Sequence, residues 1–462
     1  MTDNTCCVIL AAGEGTRMKA NKPKVMLEVQ LKPMIGWVID AVKAAGVETM
    51  CVVTGHLADK VEAYIPMEIE AARQNERLGT GHAVMCASEF LERNRGKQVL
   101  ICCGDAPFID SNTIKQAYEQ HIAKGDAVTV ISAVIDNPTG YGRMIRNSSG
   151  SLLSIVEQKE ATEEQKAVRE VNSGAYWFDV SKLLSVLAES KLKASGLTGE
   201  YYLTDAVELL ISSGYGAGAF TAASEDIVIG ANTPLQLHEL NKLARDKILA
   251  RHIENGVNMP CTDGIIIGPD VTIGANTTVL PGTMLYGETK IGNDCVIGPN
   301  SSAVNCNIGD RVVLNASQAR QCVIDDGADI GPFSQIRPNS TIGNDVHIGD
   351  FVEVKNSVIG NGTKISHLTY VGDSDVGAGV NFGCGCVTVN YDGVGKARCV
   401  IEDDAFIGCN TNLVAPVRVG KGAYTAAGST IVEDVPENSL GIARQRQIIK
   451  PDWALNRFRE KK

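Results

Sequence analysis

Residues 265–298 read IIIGPDVTIGANTTVLPGTMLYGETKIGNDCVIG. An aliphatic residue recurs every six positions, at Ile267, Ile273, Val279, Leu285, Ile291 and Ile297, and Gly follows four of them. A helix would repeat near 3.6 residues and a half-buried strand near 2. A period of six is the signature of a parallel β-helix. Each short strand sends one aliphatic side chain inward, a small residue turns the corner, and three strands close an 18-residue coil. The spacing returns at Ile330, Ile336, Ile342, Ile348 and Val354, after an irregular patch, and again at Ile401, Ile407, Leu413, Val419, Thr425 and Ile431. Between Phe382 and Ile401 the period fails. The segment TVNYDGVGKARC, residues 388–399, cannot continue the coil and is expected to project as a loop. Loops that leave a regular scaffold tend to carry function. A narrow coil with a long flat flank also predicts sideways association.

Upstream of residue 257 the pattern is different. Strand-like runs at Cys6–Ala12, Thr49–Thr54, Val99–Cys103, Ala127–Val134 and Ala175–Phe178 alternate with helical patterns at Met34–Ala45, Gly81–Leu91 and Asp205–Ser212. Alternation of this kind predicts a doubly wound, mostly parallel α/β sheet, which binds ligands at the carboxyl ends of its strands. Residues 234–255 form one helical stretch, with Pro234 suited to its first turn, Gly256 to its stop, and an apolar stripe of Leu237, Leu240, Ala244 and Ile248. The expected organisation is an α/β domain over 1–233, a linker helix over 234–256 and a β-helix domain over 257–462.

The 462 residues are 44% hydrophobic and 21% charged, an ordinary soluble balance, with a net charge of −11. An acidic chain is a poor candidate for nucleic-acid or anionic-membrane binding, and no apolar run is long enough to span a bilayer. The chain enters a strand within its first few residues, without an export signal, so a cytoplasmic protein is expected. Its 14 Cys include no CxxC pair, and Cys6-Cys7 and Cys102-Cys103 sit in apolar runs. These read as reduced, mostly buried thiols. Against the acidic background the tail is basic, with Arg444, Arg446, Lys450, Arg457, Arg459, Lys461 and Lys462 facing only Asp452 and Glu460. It is either a solvated end or an anion-gathering arm.

Two constellations carry chemistry. The first begins with Leu10-Ala11-Ala12-Gly13-Glu14-Gly15-Thr16-Arg17 and continues to Lys24. Small residues let backbone N–H groups close on phosphate oxygens, and Arg17 and Lys24 can neutralise charge on a transferring phosphoryl group. The full LAAGxGTRM…PK string resembles the sugar-phosphate nucleotidyltransferase (pyrophosphorylase) family. That resemblance implies uridine recognition by Gln74 with Gly79 and Thr80, and a Mg²⁺ site made by Asp105, after Gly104, with Asn232. It also implies sugar binding by Gly140, Glu157 and Asn172.

The second constellation lies in the coil. Of its two histidines, His347 and His367, the latter sits in Ser366-His367-Leu368-Thr369-Tyr370 near Arg337 and Lys355. A neutral imidazole can take a proton from an attacking amine near pH 7, and the two cations suit a sugar phosphate. The pattern RPN…VEVKN…SHLTYVGD…VNFG…NYDG, over nearly the whole chain, resembles the bacterial bifunctional N-acetylglucosamine-1-phosphate uridylyltransferase / glucosamine-1-phosphate N-acetyltransferase family. The resemblance implies a left-handed coil and a homotrimer. His367 is then the general base, and Arg337, Lys355, Tyr370 and Asn381 bind the amino-sugar phosphate. Cys384, Asn390, Tyr391, Cys409, Ala427 and Arg444 bind acetyl-CoA. The implied substrates are glucosamine-1-phosphate, acetyl-CoA, N-acetylglucosamine-1-phosphate and UTP, and the product serves peptidoglycan and lipopolysaccharide synthesis. Cys103 departs from a Tyr found in some relatives, Cys384 from a common Ala and Cys409 from a common Ser. The nearest alternative is a single-activity pyrophosphorylase whose coil serves assembly or regulation; His367 and the Asn390-Tyr391 loop argue against it. A nucleotide-sugar sensor is the non-enzymatic alternative, and intact Asp105, Lys24 and Arg17 argue against that.

Overall fold

A computed structural model describes residues 4–187, 192–195 and 199–459. The chain divides into two compact units, Met1–Ala244 and Arg245–Lys462, and the division falls inside the helix Pro234–Glu254.

The first unit is built on a mixed sheet. Its strands run in the order Ala217–Thr221, Val128–Val134, Glu170–Asp179, Gln98–Cys103, Thr5–Ala11, Met50–Thr54 and Glu70–Arg73. Only Glu170–Asp179 on this path is antiparallel to its neighbours. A hairpin of Arg143–Arg146 and Leu152–Val156 hangs from that strand. The strand Thr5–Ala11 is apolar from Cys6 onward because both its faces are covered. Cys6 and Val8 enter one core, and Cys7 and Ile9 the other. The expected helix over Gly81–Leu91 is two helices, Thr80–Cys86 and Ser88–Arg93. The Ser88 hydroxyl donates back to the Met85 carbonyl, a local bond that competes with the helical ladder. The Pro234 helix ends as read. Gly256 takes φ +89°, and the N–H groups of Gly256 and Val257 bond to the carbonyls of Ile253 and His252.

The second unit is a left-handed parallel β-helix. Among the described residues, three parallel sheets of ten, nine and ten short strands form its faces. The inward residues Leu285, Ala303, Ala319 and Ile336 stack in register, so a full-length coil there is followed by two shortened ones. The irregular patch is therefore unbroken coil: shorter turns defeat a strict period of six, and Ala fills the narrower interior. The next departure is real. Thr388 pairs with Leu413 across a much longer coil, which contains the projecting segment, closed on itself by a bridge between Tyr391 and Lys396. All 14 cysteines are free, and most are buried. No described helix is long and apolar enough to cross a membrane.

Candidate functional site

In the first unit the carboxyl ends of neighbouring strands meet at two adjoining clefts. Leu10 and Ala11 end one strand, Gln74 follows another, and Cys103 ends a third. The larger cleft, of about 320 Å³, is lined by Leu10, Ala11, Ala12, Gly13, Lys24, Gln74, Gly79, Thr80, Cys103 and Asp105, among others. The smaller, of about 220 Å³, is lined by Gly140, Glu157, Asn172 and Asn232, and shares Lys24, Cys103 and Asp105 with the first. Gly104 lies behind the wall, its N–H bonded to the Leu10 carbonyl at 2.9 Å. Gly15 takes φ +64°, and a Cβ there would stand 2.8 Å from the Lys24 Cβ, so only glycine permits this approach of loop and lysine.

The two clefts are joined by a charged knot. Lys24 Nζ lies 2.5 Å from Asp105 Oδ2 and donates to Asn232 Oδ1 at 2.7 Å. Arg17 Nη2 donates to the same Asn232 oxygen at 3.1 Å. The Asp105 carboxylate and the Asn232 amide oxygen thus already converge on one cation. Hard oxygen donors of this kind fit Mg²⁺ that also takes phosphate oxygens and water. Among the described residues no group of three or more His, Cys, Asp or Glu could hold a metal ion, so a resident all-protein metal cage is not built here. Gln74 spends its amide nitrogen on the Gly79 carbonyl at 3.1 Å and on His82 Nδ1 at 3.0 Å, which turns its carbonyl oxygen to other donors. Burial raises the Glu157 carboxyl, against a hydrogen bond from Thr204 and with help from the neighbouring carboxylates of Glu160, Asp205 and Glu200. Burial, then Asp105, pushes the Cys103 thiol far up, so it is a packing group and not a nucleophile.

In the second unit one corner of the coil carries a vertical column. Strands His347–Asp350, Lys364–His367, Asn381–Phe382, Phe406–Ile407 and Tyr424–Thr425 are successive neighbours in register. Two residues past each inward side chain stand Asp350, His367, Cys384, Cys409 and Ala427. Asp350 pairs directly with His367, and His367 Nδ1 lies 2.7 Å from Asp350 Oδ1. At the other end, a Cβ on Gly428 would sit 3.8 Å from Arg444 Cδ, so Arg444 reaches back beside Ala427. The adjoining face carries a second cluster around buried Asp373. Its carboxylate accepts from the amides of Asn356 and Asn390 and lies 3.8 Å from Lys355 Nζ. Burial alone would raise Asp373, but these amides and Lys355 outweigh it and hold the carboxyl below its ordinary range. Asn390 also donates to Tyr370 Oη at 3.4 Å. A Cβ on Gly372 would collide with that hydroxyl, so the missing side chain lets the Tyr370 ring lie along its strand. Arg337 Nη1 pairs with Glu353 at 2.6 Å, and Glu353 neighbours Tyr370 in register.

The MobA-like NTP transferase domain family matches residues 7–170. The bacterial transferase hexapeptide family (six repeats) matches 270–302, and the GMPPB C-terminal domain family matches 318–396. The chain is 49% identical over 453 residues to the bifunctional protein GlmU of Thermoanaerobacter pseudethanolicus, covering 98% of each. It is 48% identical over 450 residues to that of Acetivibrio thermocellus, covering 97% of each. The chain belongs to the bifunctional GlmU family.

For a GlmU chain, the sequence-predicted residues fall into four groups. The nucleotidyltransferase residues meet at the joined clefts, with Arg17 attached through Asn232 rather than lining either. Lys355, Tyr370 and Asn390 meet at Asp373, with Arg337 alongside through Glu353. His367, Cys384, Cys409, Ala427 and Arg444 share one corner. Asn381 stands one coil beyond Lys364, and Tyr391 projects on the loop. Glu460, Lys461 and Lys462 lie outside the described residues. Three contributors escaped sequence reading: Asp350, Asp373 and Lys396, a loop lysine whose ammonium is held down by the neighbouring Lys355 charge. Asp350 had a signal, since it precedes His367 by one coil. Asp373 had none beyond an ordinary Gly-Asp turn.

Proposed function

We propose that the chain runs two reactions, acetyl transfer at the coil corner and then uridylyl transfer at the joined clefts. As a GlmU-family enzyme it converts glucosamine-1-phosphate, acetyl-CoA and UTP into UDP-N-acetylglucosamine, CoA and pyrophosphate. In the first reaction the substrate amine attacks the thioester carbonyl carbon. His367 Nε2 takes the amine proton, the C–S bond breaks, and the imidazolium returns the proton to the departing thiolate. Arg337, Lys355, Tyr370 and Asn381 hold the amino-sugar phosphate. Cys384, Cys409 and Ala427 line the track for the pantetheine arm, Asn390 and Tyr391 close on acetyl-CoA from the loop, and Arg444 meets its phosphates. The corner column carries this reading. From His367 to Ala427 it climbs three coil spacings of about 4.8 Å each, a run suited to an extended arm with its reactive end at the base.

In the second reaction an oxygen of N-acetylglucosamine-1-phosphate attacks the α-phosphorus of UTP in line and pyrophosphate leaves. Leu10, Ala11, Ala12, Gly13, Gln74, Gly79, Thr80 and Gly104 take the nucleotide. Gly140, Glu157 and Asn172 take the sugar. Lys24 and Arg17 lie where charge develops. Mg²⁺, when held by Asp105 and Asn232, supplies further charge neutralisation on the triphosphate. The observation that carries this half is Lys24 bridging Asp105 and Asn232 where the two clefts meet.

The assembly is a homotrimer, with no nucleic-acid or membrane partner, in the cytoplasm. Phe333, Phe351 and Leu368 support the trimer. They are 63%, 56% and 57% exposed, they take left-handed backbone conformations that ordinary side chains avoid, and two of them follow Asp350 and His367 directly. A second copy covering this apolar corner would complete a pocket at the base. A single incubation of the full chain with glucosamine-1-phosphate, acetyl-CoA, UTP and Mg²⁺ tests the proposal. Free thiol and pyrophosphate should both appear, pyrophosphate should depend on acetyl-CoA, and light scattering should give three chains. Thiol release without pyrophosphate, or the reverse, would refute the two-reaction reading.

A further inference from the structure

The β-helix carries two histidines, and each is paired with an aspartate one coil earlier. His347 Nδ1 lies 3.0 Å from Asp329 Oδ2, and His367 Nδ1 lies 2.7 Å from Asp350 Oδ1. The two pairs share a chemistry but not a setting. Asp329 and His347 stand mid-face on strands that continue past them. Asp350 and His367 end their strands at the corner, followed by the exposed Phe351 and Leu368. Here the ladder between the two coils is extended to the corner residues themselves, which fixes one carboxylate beside one imidazole.

We infer that Asp350 is a positioning residue for His367. It accepts the Nδ1–H, which leaves Nε2 as the basic nitrogen facing outward, and its charge stabilises the imidazolium formed when Nε2 takes the amine proton. The inference rests on the reading of His367 as the base. The hydrogen bond from His367 holds the Asp350 carboxyl below its ordinary range, so the partner is ionised wherever the imidazole titrates. The other groups around His367 do not supply this role. Lys364 on its own strand is a cation. His347 is already paired with Asp329, Glu353 with Arg337, and the following coil presents the neutral Asn381 and Cys384. In catalytic His–carboxylate pairs the acid fixes the tautomer without itself being protonated.

The test uses the full-length enzyme and reads kcat and KM for acetyl transfer across pH, with uridylyl transfer in the same samples as the folding control. Asp350→Ala should lower kcat by about 10-fold to 100-fold, part of the 10²–10⁴ that a general base contributes, with both KM values within about twofold. Asp350→Asn keeps an acceptor for Nδ1–H but not the charge. It should recover part of kcat, a rescue that a merely structural role would not give. Asp329→Ala, which breaks the other pair, should change neither kcat nor KM. His367→Ala separates the two claims. If it keeps full acetyl transfer, the base reading falls and the positioning role with it. If it is inactive while Asp350→Ala retains the parent kcat, only the positioning role is overturned. A rise in KM alone in Asp350→Ala would also overturn it, by making Asp350 a binding group.

Discussion

The two units build their sites by different rules. In the α/β unit, the candidate site collects at loops that follow strands distant in sequence, and Lys24, Asp105 and Asn232 meet although they come from the start, the middle and the end of the unit's chain. In the coil, function collects along a column, where a residue's neighbours lie one coil earlier and one coil later. The first arrangement tolerates irregular chemistry, because each loop is free to differ. The second imposes a register, so that one corner position repeated over five coils becomes a track from Asp350 to Ala427. The lesson is that the same reading method succeeds differently on each. Motif strings find loop-built sites, and coil arithmetic finds column-built ones.

That contrast can be broken most severely at His367. His367→Ala should reduce acetyl transfer by roughly 10²–10⁴-fold and leave uridylyl transfer unchanged, measured as thiol release and pyrophosphate release on the purified full chain. Equal loss of both would mean that the units do not keep separate sites.

The next effect sharpens the loop-built site. With its amide nitrogen committed to Gly79 and His82, Gln74 has a carbonyl oxygen left for the nucleotide base it is proposed to read. Uracil presents an N–H to such an acceptor at ring position 3, and cytosine does not. Gln74→Leu should lower kcat/KM for UTP by about 10-fold to 100-fold, the worth of one buried hydrogen bond left unmade, and shrink the preference over CTP. Unchanged preference would move base recognition elsewhere.

The column-built site has its own intermediate test. Asp373 holds Lys355 and Asn390 together, so Asp373→Ala should release both the lysine proposed to bind the sugar phosphate and the root of the loop. KM for glucosamine-1-phosphate and for acetyl-CoA should each rise about fivefold to tenfold, as expected for loss of charge-assisted hydrogen bonds. A change confined to kcat would contradict this placement.

The smallest expected effect compares one buried histidine in each unit. Burial lowers both His121 and His252 to about 4. A base depressed in the folded state stabilises above its unfolded value near 6.5, and that stability is lost as pH falls towards 4. Both units should therefore weaken between about pH 6.5 and pH 4, followed by thermal unfolding. His121 is satisfied by Thr129 and Gln98, whereas His252 Nε2 is buried without a hydrogen-bond partner. His121→Leu should cost about 1–3 kcal/mol by orphaning those partners, and His252→Leu should cost less while removing its share of the acid sensitivity. The opposite ranking would count against the packing account.

Much of this was legible from the residues. The aliphatic period read the coil directly, because most inward positions are filled by an aliphatic or small side chain, with Phe382 an aromatic exception. It stalled where the coils from Ala303 to Ala319 and on to Ile336 shorten, since a strict period cannot see a shortened turn. The break at 388–399 marked the loop, because an insertion of that length cannot fit a triangular coil. The helix at Gly81–Leu91 was read as continuous because its interruption depends on one serine hydroxyl turning back on the backbone. The nucleotide cleft was legible as motifs, but the knot of Lys24 with Asn232 needed the fold to bring the ends of the first unit together. Asp350 could be reached only by counting one coil back from His367, and Asp373, in an ordinary Gly-Asp turn, carries no pattern that marks it.

The central claim is that the chain carries two independent sites, built from different residues on different scaffolds. The direct measurement mixes two variants, Asp105→Ala and His367→Ala, each unable alone to make UDP-N-acetylglucosamine from glucosamine-1-phosphate, acetyl-CoA and UTP. The first still acetylates and the second still couples the acetylated sugar phosphate to UTP, so the mixture should form the nucleotide sugar after a lag while the free intermediate accumulates. A mixture as inactive as its components, with each variant defective in both half-reactions, would contradict the account.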